Sequence, residues 1–364
     1  MRRCKLCILP ETYPGIAFNE EGICNFCLNH KKRGVLGEDE LKKVLYSRRG
    51  KKYDCVVPVS GGRDSTFALY VAKRKLGLKV LAVHYDNGFC EEQALINIKN
   101  ACEKLDIDLV TVKSKRNIEK KYVRNAIKAS APFGSFWGIC QFCYYGIHTI
   151  AYQIAKKEGA PFILWGNHSS ESGLQNPYVG LSGFREALKG ASISNITKAF
   201  PYFIMMTFCL LLHRLEFYVH EKGFWRLVFN PRKFIIITEK NNKIKNVFLY
   251  DYIEWDGKKI VKIIKEELDW KSPVDKEWRF DCKLHAFGNY KYLKSFGISQ
   301  DGVGYSNMIR EGKLSRTEAL KRIKCEENME KLRSHIEIVF EELGLSKDIF
   351  DAFDSVRAHK TASK

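Results

Sequence analysis

From residue 53 onward, short apolar runs alternate with longer stretches in which apolar residues return every three or four positions. Tyr53-Asp54-Cys55-Val56-Val57-Pro58-Val59 runs into Ser60 and a glycine pair, and reads as a buried strand. Ser65 to Leu76 has helical spacing through Phe67, Ala68, Val71 and Ala72, with Gly77 as its stop. Val80-Leu81-Ala82-Val83-His84-Tyr85 is a second strand closing on Asp86-Asn87-Gly88. Ala94, Leu95, Ile98, Ala101, Cys102 and Leu105 share the face of a helix, and Leu109-Val110-Thr111-Val112 is a third strand. A helix marked by Ile147, Ile150, Ala151, Ile154 and Ala155 leads to the strand Phe162-Ile163-Leu164-Trp165 and the turn Gly166-Asn167-His168. This alternation predicts an α/β fold, a parallel sheet with helices on both faces. Ligands of such sheets sit beyond the carboxyl ends of the strands, where the loops after residues 59, 85 and 165 fall.

The pattern is less regular elsewhere. Residues 1–30 form a cysteine-punctuated module and 31–52 a basic linker. The α/β domain is expected over 53–173. Residues 174–275 hold an apolar run, Ala199 to Leu212, and β-like stretches at Phe234 to Thr238 and Val247 to Ile253; they read as an insertion or substrate-facing subdomain. Residues 276–364 are expected to be mainly helical, with Ser315-Arg316-Thr317-Glu318 as a capping box. The apolar run, between Lys198 and His213-Arg214, is shorter than the roughly 17–25 residues of a membrane-spanning helix, so it reads as a buried or lid helix with shallow membrane contact as a lesser reading. No transmembrane segment is expected.

Charge adds a preference for partners. The excess of 61 Lys+Arg over 42 Asp+Glu gives +19, which favours ATP, RNA, a sugar nucleotide or a membrane surface, although a solvated lysine-rich surface accounts for it equally well. Twelve cysteines, with Met1-Arg2-Arg3-Cys4 leaving no room for an apolar leader, point to a reducing cytoplasm.

The sharpest chemical signal is Ser60-Gly61-Gly62-Arg63-Asp64-Ser65, at a strand-to-helix junction. Glycines let backbone approach an anion, and a helix N-terminus presents free N–H groups. The hydroxyls of Ser60, Ser65 and Thr66 add donors and Arg63 adds charge, whereas Asp64 would repel a phosphate unless Mg²⁺ lay between them. The string resembles the PP-loop pyrophosphatase superfamily, whose fold is the adenine nucleotide alpha hydrolase-like sheet. By that resemblance ATP is cleaved between its α and β phosphates, a substrate oxygen is adenylated, and nitrogen or sulfur displaces AMP. The resemblance further implies that Ser60, Gly61, Gly62, Asp64 and Ser65 grip pyrophosphate and its metal. It puts His84, Tyr85 and Asp86 near adenosine, and places Gly166, Asn167, His168 and a Mg²⁺-holding Glu171 in the late strand-to-helix loop. The superfamily usually has Lys where Arg63 stands.

Cys4-x2-Cys7 and Cys24-x2-Cys27 have the spacing of a four-thiolate Zn²⁺ site, with an iron–sulfur cluster as the second reading. Few apolar residues surround them, so metal would replace a core. The wording around these cysteines, Asp86-Asn87-Gly88-Phe89 with Asn97-Ile98, and the tail from Ile309 to Leu320 resemble the N-acetyl sugar amidotransferases, PP-loop enzymes of surface-polysaccharide biosynthesis. Two sites depart from that pattern. Cys140-Gln141-Phe142-Cys143 lies before a helix whose dipole would lower thiol pKa, and Cys282 stands alone in Trp278-Arg279-Phe280-Asp281-Cys282-Lys283. Together they resemble the three thiolates of PP-loop tRNA thiolases, which hold a [4Fe-4S] cluster with one open iron. The competing reading is a redox or packing pair with an isolated Cys282. Cys90, on the ATP-side loop, competes as a further thiol.

Three functions follow. The first is amidotransfer to an N-acetyl sugar or sugar nucleotide, with ammonia from a glutaminase partner. The second is sulfur transfer to RNA or a small molecule through Cys140, Cys143 and Cys282, with a sulfur-donor partner. The third, a zinc-ribbon binding protein with a dead nucleotide fold, sits badly with intact Ser60, Asp64 and Ser65.

Overall fold

The computed structural model describes residues 1–32, 34–133, 138–169, 192–218, 244–273 and 279–355. Five parallel strands, β1 (Cys55–Pro58), β2 (Val80–Asp86), β3 (Asp108–Lys113), β4 (Phe162–Trp165) and β5 (Lys245–Phe248), form one sheet in the order β3-β2-β1-β4-β5. Alternate side chains of a strand point to opposite faces. Val57, Ala82, Leu164 and Val247 enter one core with Phe67, Ile98, Ile260 and Ile264. Val56, Leu81, Val83 and Ile163 enter the other, with Ile150, Ala151 and Ala155. Every residue of β1 is buried, as a central strand requires, and β3 is the exposed edge.

Helices cover both faces. A one-turn helix α1 (Asn25–Leu28) lies in the cysteine module, and α2 (Glu38–Tyr46) buries Leu41 and Leu45 in the first core. The segment expected to be a basic linker is therefore partly a packed helix. The helix after the phosphate loop, α3 (Arg63–Tyr70), begins earlier than its apolar spacing suggests and passes into a π-helical turn, Val71–Lys75. Next come α4 (Glu92–Leu105), α5 (Ile118–Ser130) and α6 (Gln141–Glu158). Then α7 (Ile193–Tyr218) extends the apolar run into a 26-residue helix, long and apolar enough over Ile193–His213 to cross a membrane by length and composition. One of its faces packs on α5 through Met206 and Cys209.

The expected boundary at residue 173 is crossed by the sheet. Val247 lies in β5, whose ladder with β4 runs from Phe162↔Lys245 to Trp165↔Phe248, and the chain then bends at Leu249–Asp251 instead of staying extended to Ile253. α8 (Gly257–Leu268), capped by Asp256 accepting from the amides of Lys258 and Lys259, buries Ile260, Val261, Ile264 and Leu268 against the first core. Residues 245–268 thus belong to the same sheet and its core. Phe234 to Thr238 lies outside the described residues.

The C-terminal part is helical: α9 (His285–Phe296), α10 (Gln300–Arg310), α11 (Arg316–Glu326), α12 (Met329–Glu342) and α13 (Lys347–Ser355). Ser315 caps α11 by accepting from the Glu318 amide at 3.1 Å. The Glu318 carboxylate pairs with Arg322, so half of the expected box forms.

Candidate functional site

The loop after β1 is held open from behind. Gly61 has φ +78°, and a Cβ there would lie 2.0 Å from the Ala94 carbonyl oxygen, so only glycine fits against α4. Its own carbonyl accepts from Asn97 Nδ2 at 3.2 Å and Trp270 Nε1 at 3.0 Å. Asn97 also joins Lys271 through both backbone groups. Ser65 Oγ donates to the Gly62 carbonyl at 3.2 Å and accepts from the Ser60 amide at 3.2 Å. Gly166 presses on the Asp64 carbonyl, which a Cβ would approach to 2.5 Å, so the turns after β1 and β4 form one floor. This is a rigid cradle at the carboxyl edge of the sheet, with glycine backbone at its surface.

Two residues of the motif face elsewhere. The Arg63 guanidinium is buried; it binds Asp64 at 2.9 and 3.1 Å and lies 4.6 Å over the Trp255 ring. Asp64 Oδ1 also accepts from Trp255 Nε1 at 2.9 Å and Tyr250 Oη at 3.0 Å. Expected to meet phosphate and Mg²⁺, the pair instead clamps α3 to the segment after β5. Thr66 is buried as well. The carboxylate that does reach the cradle is Asp281, whose Oδ2 lies 3.2 Å from where a Gly62 Cβ would stand. Asp281 has no hydrogen-bond partner for that carboxylate among the described residues. Sequence reasoning missed it; the one available signal was its place beside Cys282.

The residues expected around adenosine are divided by strand alternation. His84 is buried, with Nδ1 3.0 Å from the Val59 carbonyl and Nε2 3.7 Å from Cys90 Sγ. A carbonyl only accepts, so Nδ1 carries the proton and Nε2 turns a lone pair to the thiol. Tyr85, on the opposite face, donates to Glu119 Oε1 at 2.5 Å and meets His213. Asp86 accepts from the Gly88 amide and pairs with Lys113 at 3.4 Å. In the late loop, His168 pairs with Asp251 at 3.3 Å, while the buried Asn167 Oδ1 finds no donor among the described residues, an acceptor left open beside the cradle. Glu171 lies outside the described residues.

The internal cysteines do come together. Asn87 is their hub: Nδ2 donates to Cys143 Sγ at 3.3 Å and Cys282 Sγ at 3.7 Å, and Oδ1 accepts from Cys90 Sγ at 3.5 Å. Residues 281–283 run antiparallel along 89–91, joined by Lys283 N to Phe89 O at 2.9 Å and a backbone β-bridge between Cys90 and Cys282, whose thiols are free. Cys140 stands at the N-cap position of α6 with its surface exposed, and desolvation by the surrounding protein raises its pKa. Burial, reinforced by Cys140, pushes Cys143 up to about 12, and burial with Cys143 and Cys140 raises Cys282. The lowering expected from the helix dipole is overridden by desolvation and mutual repulsion. All three can be thiolates only around a cation.

The Cys4, Cys7, Cys24 and Cys27 sulfurs lie within 4.8 Å of one another, with pairs at 3.9, 3.8 and 3.5 Å. Four sulfurs about 2.3 Å from one tetrahedral ion have edges of about 3.8 Å, so this set fits a single metal. Without one the thiols oppose each other: hydrogen bonding with Cys24 draws Cys7 down to about 5, and the same hydrogen bond, then burial and the Cys7 charge, drive Cys24 up. The module does not stand without a core, as its composition suggested; it shares one with Tyr292, Phe296, Ile298, Tyr305 and Ile323. Arg316 ties it down through the Cys4 and Cys7 carbonyls.

Residues 277–361 match the family described as LPS biosynthesis protein WbpG-like, C-terminal domain. The uncharacterised protein MJ1599 of Methanocaldococcus jannaschii is 25% identical over 206 residues, 55% of this chain and 68% of that one. Among solved structures, the U34-tRNA thiolase NcsA from Methanococcus maripaludis with its [4Fe-4S] cluster is similar over 86% of this chain and 87% of its own, at 14% identity and a TM-score of 0.34, too loose a likeness to argue from. The chain carries a WbpG-like C-terminal domain, and its parallel sheet with a glycine loop after the first strand accords with the PP-loop resemblance.

Proposed function

We propose that the chain binds ATP in the cradle of residues 60–65 and adenylates an acceptor oxygen. That oxygen attacks the α-phosphorus in line, the bond to the bridging oxygen breaks, and pyrophosphate leaves. Amides of the glycine loop and the Ser60 and Ser65 hydroxyls hold the departing charge; Asp281 would hold a Mg²⁺, which when bound would supply further neutralisation of that charge. Asn167 Oδ1 accepts from the nucleotide. Asp64 acts by fixing the loop and Arg63, not by touching the metal. The carrying observation is the cradle itself: Gly61 immobilised by Asn97 and Trp270, with the Asp281 carboxylate against Gly62.

In the second half-reaction ammonia, delivered by a glutaminase partner, attacks the activated carbon and AMP departs with the oxygen. The WbpG-like match supports an acceptor from surface-polysaccharide biosynthesis, an N-acetyl sugar. The Cys4 site would hold a structural zinc. A second reading is favoured by the convergence of Cys143 and Cys282 on Asn87 with Cys140 close by. There these thiols would hold a [4Fe-4S] cluster, which when bound supplies an open iron for sulfide, and sulfur would replace nitrogen. Anaerobic purification followed by zinc, iron and sulfide analysis separates the two. About one zinc and no iron is the expected result; about four irons, lost in Cys143→Ala and Cys282→Ala, would replace amidotransfer by sulfur transfer.

A further inference from the structure

α7 is apolar on two sides. One side is buried, with Met206 and Cys209 packed in the cluster that holds α5. The other exposes Ile193, Ile196, Phe200, Ile204 and Phe208, spaced three or four residues apart and so aligned along one face. Phe200 is 60% exposed and Ile204 is 53% exposed, more than isolated surface apolar residues need explaining away. Between residues 193 and 213 there is no acidic side chain.

The helix that backs α7 carries a row of cations. α5 runs antiparallel to α7, with Lys128 Nζ 5.2 Å over the Tyr202 ring and Lys121 within electrostatic reach of Cys209. Lys121, Arg124 and Lys128 lie three and four residues apart on α5, and Lys198 of α7 is exposed. Arg124 and Lys128 are close enough to repel one another. The acid on α5, Glu119, is buried and bound to Tyr85 and Ser114, so it does not neutralise the row. An apolar ridge backed by crowded lysine and arginine is the chemistry of a helix lying in an anionic bilayer interface: the ridge enters the acyl boundary and the cations above it meet lipid phosphates. A nucleic acid would satisfy the cations but leave the isoleucines and phenylalanines in water.

We propose that the α5–α7 face docks the protein on the surface of a membrane containing anionic lipid, with Phe200, Ile204 and Phe208 inserted and Lys121, Arg124, Lys128 and Lys198 on the headgroups. Because the opposite face of α7 packs on α5, the helix lies on the bilayer and does not span it. Docking is independent of the reaction the cradle performs.

The test is flotation of the full chain with vesicles of phosphatidylcholine alone or with phosphatidylglycerol. The expected result is association with the anionic vesicles, at least tenfold weaker with neutral ones and reversed by raised salt. It should also fall at least tenfold in the triple variant Phe200→Ser, Ile204→Ser, Phe208→Ser and in the pair Lys121→Glu, Lys128→Glu. Matching thermal melts establish that the variants fold, and the charge pair still decides the matter if the serine variant does not. No flotation, equal flotation of folded variants, or resistance to salt and alkaline extraction would overturn the proposal. So would a concentration-dependent dimer that the serine variant abolishes, which would make the face a contact between copies.

Discussion

Two carboxylates carry the contrast between what the string shows and where the fold puts it. Asp64 sits inside the motif but is engaged: Arg63, Tyr250 and Trp255 all donate to it, the last two from 186 and 191 residues away. Nothing local in the string reveals those partners. Asp281 sits outside the motif, yet its carboxylate is the one against the loop backbone. If it holds the metal of Mg-ATP, Asp281→Asn should raise the Mg²⁺ concentration for half-maximal pyrophosphate release by about tenfold, a loss of roughly 1.4 kcal/mol, with nucleotide affinity in the absence of metal unchanged. An unaltered metal requirement would remove Asp281 from the site. Asn87 was legible as part of Asp86-Asn87-Gly88-Phe89, but its place at the centre of three thiols depends on residues brought from α6 and from the segment before α9.

Among the elements, those with a clean period were readable. The runs at Cys55, Val80 and Phe162 are strands because their residues are buried on both faces, and the helices between them bury the residues that their spacing selects. β5 was missed as part of the sheet because it is a four-residue strand reached after a long excursion from β4. The cysteine module shows the same limit. Its ligand spacing is local and was legible, whereas the helices completing its core come from the far end of the chain. That shared core makes a prediction. Removing the metal with a strong chelator should release both regions together, so hydrogen exchange would accelerate at residues 1–28 and along α9 to α11. Acceleration confined to the cysteine module would show that the C-terminal helices do not depend on it.

At the scale of the molecule, β1 stands at the centre of the sheet and sends its loop to the edge where α4, the turn after β4 and residues 279–284 meet. Asp281 faces the cradle and Cys282 the thiols, so one short segment of the C-terminal half walls both candidate chemistries. The order of strands and helices could be read from hydrophobic spacing. Their convergence could not, because it is made by tertiary packing. The measurement closest to the central claim is a crystal structure of the chain with Mg²⁺ and α,β-methylene-ATP. The β and γ phosphates should lie on the amides of residues 61–65, with the metal between them and Asp281. A triphosphate bound elsewhere, with the cradle vacant, would contradict the account.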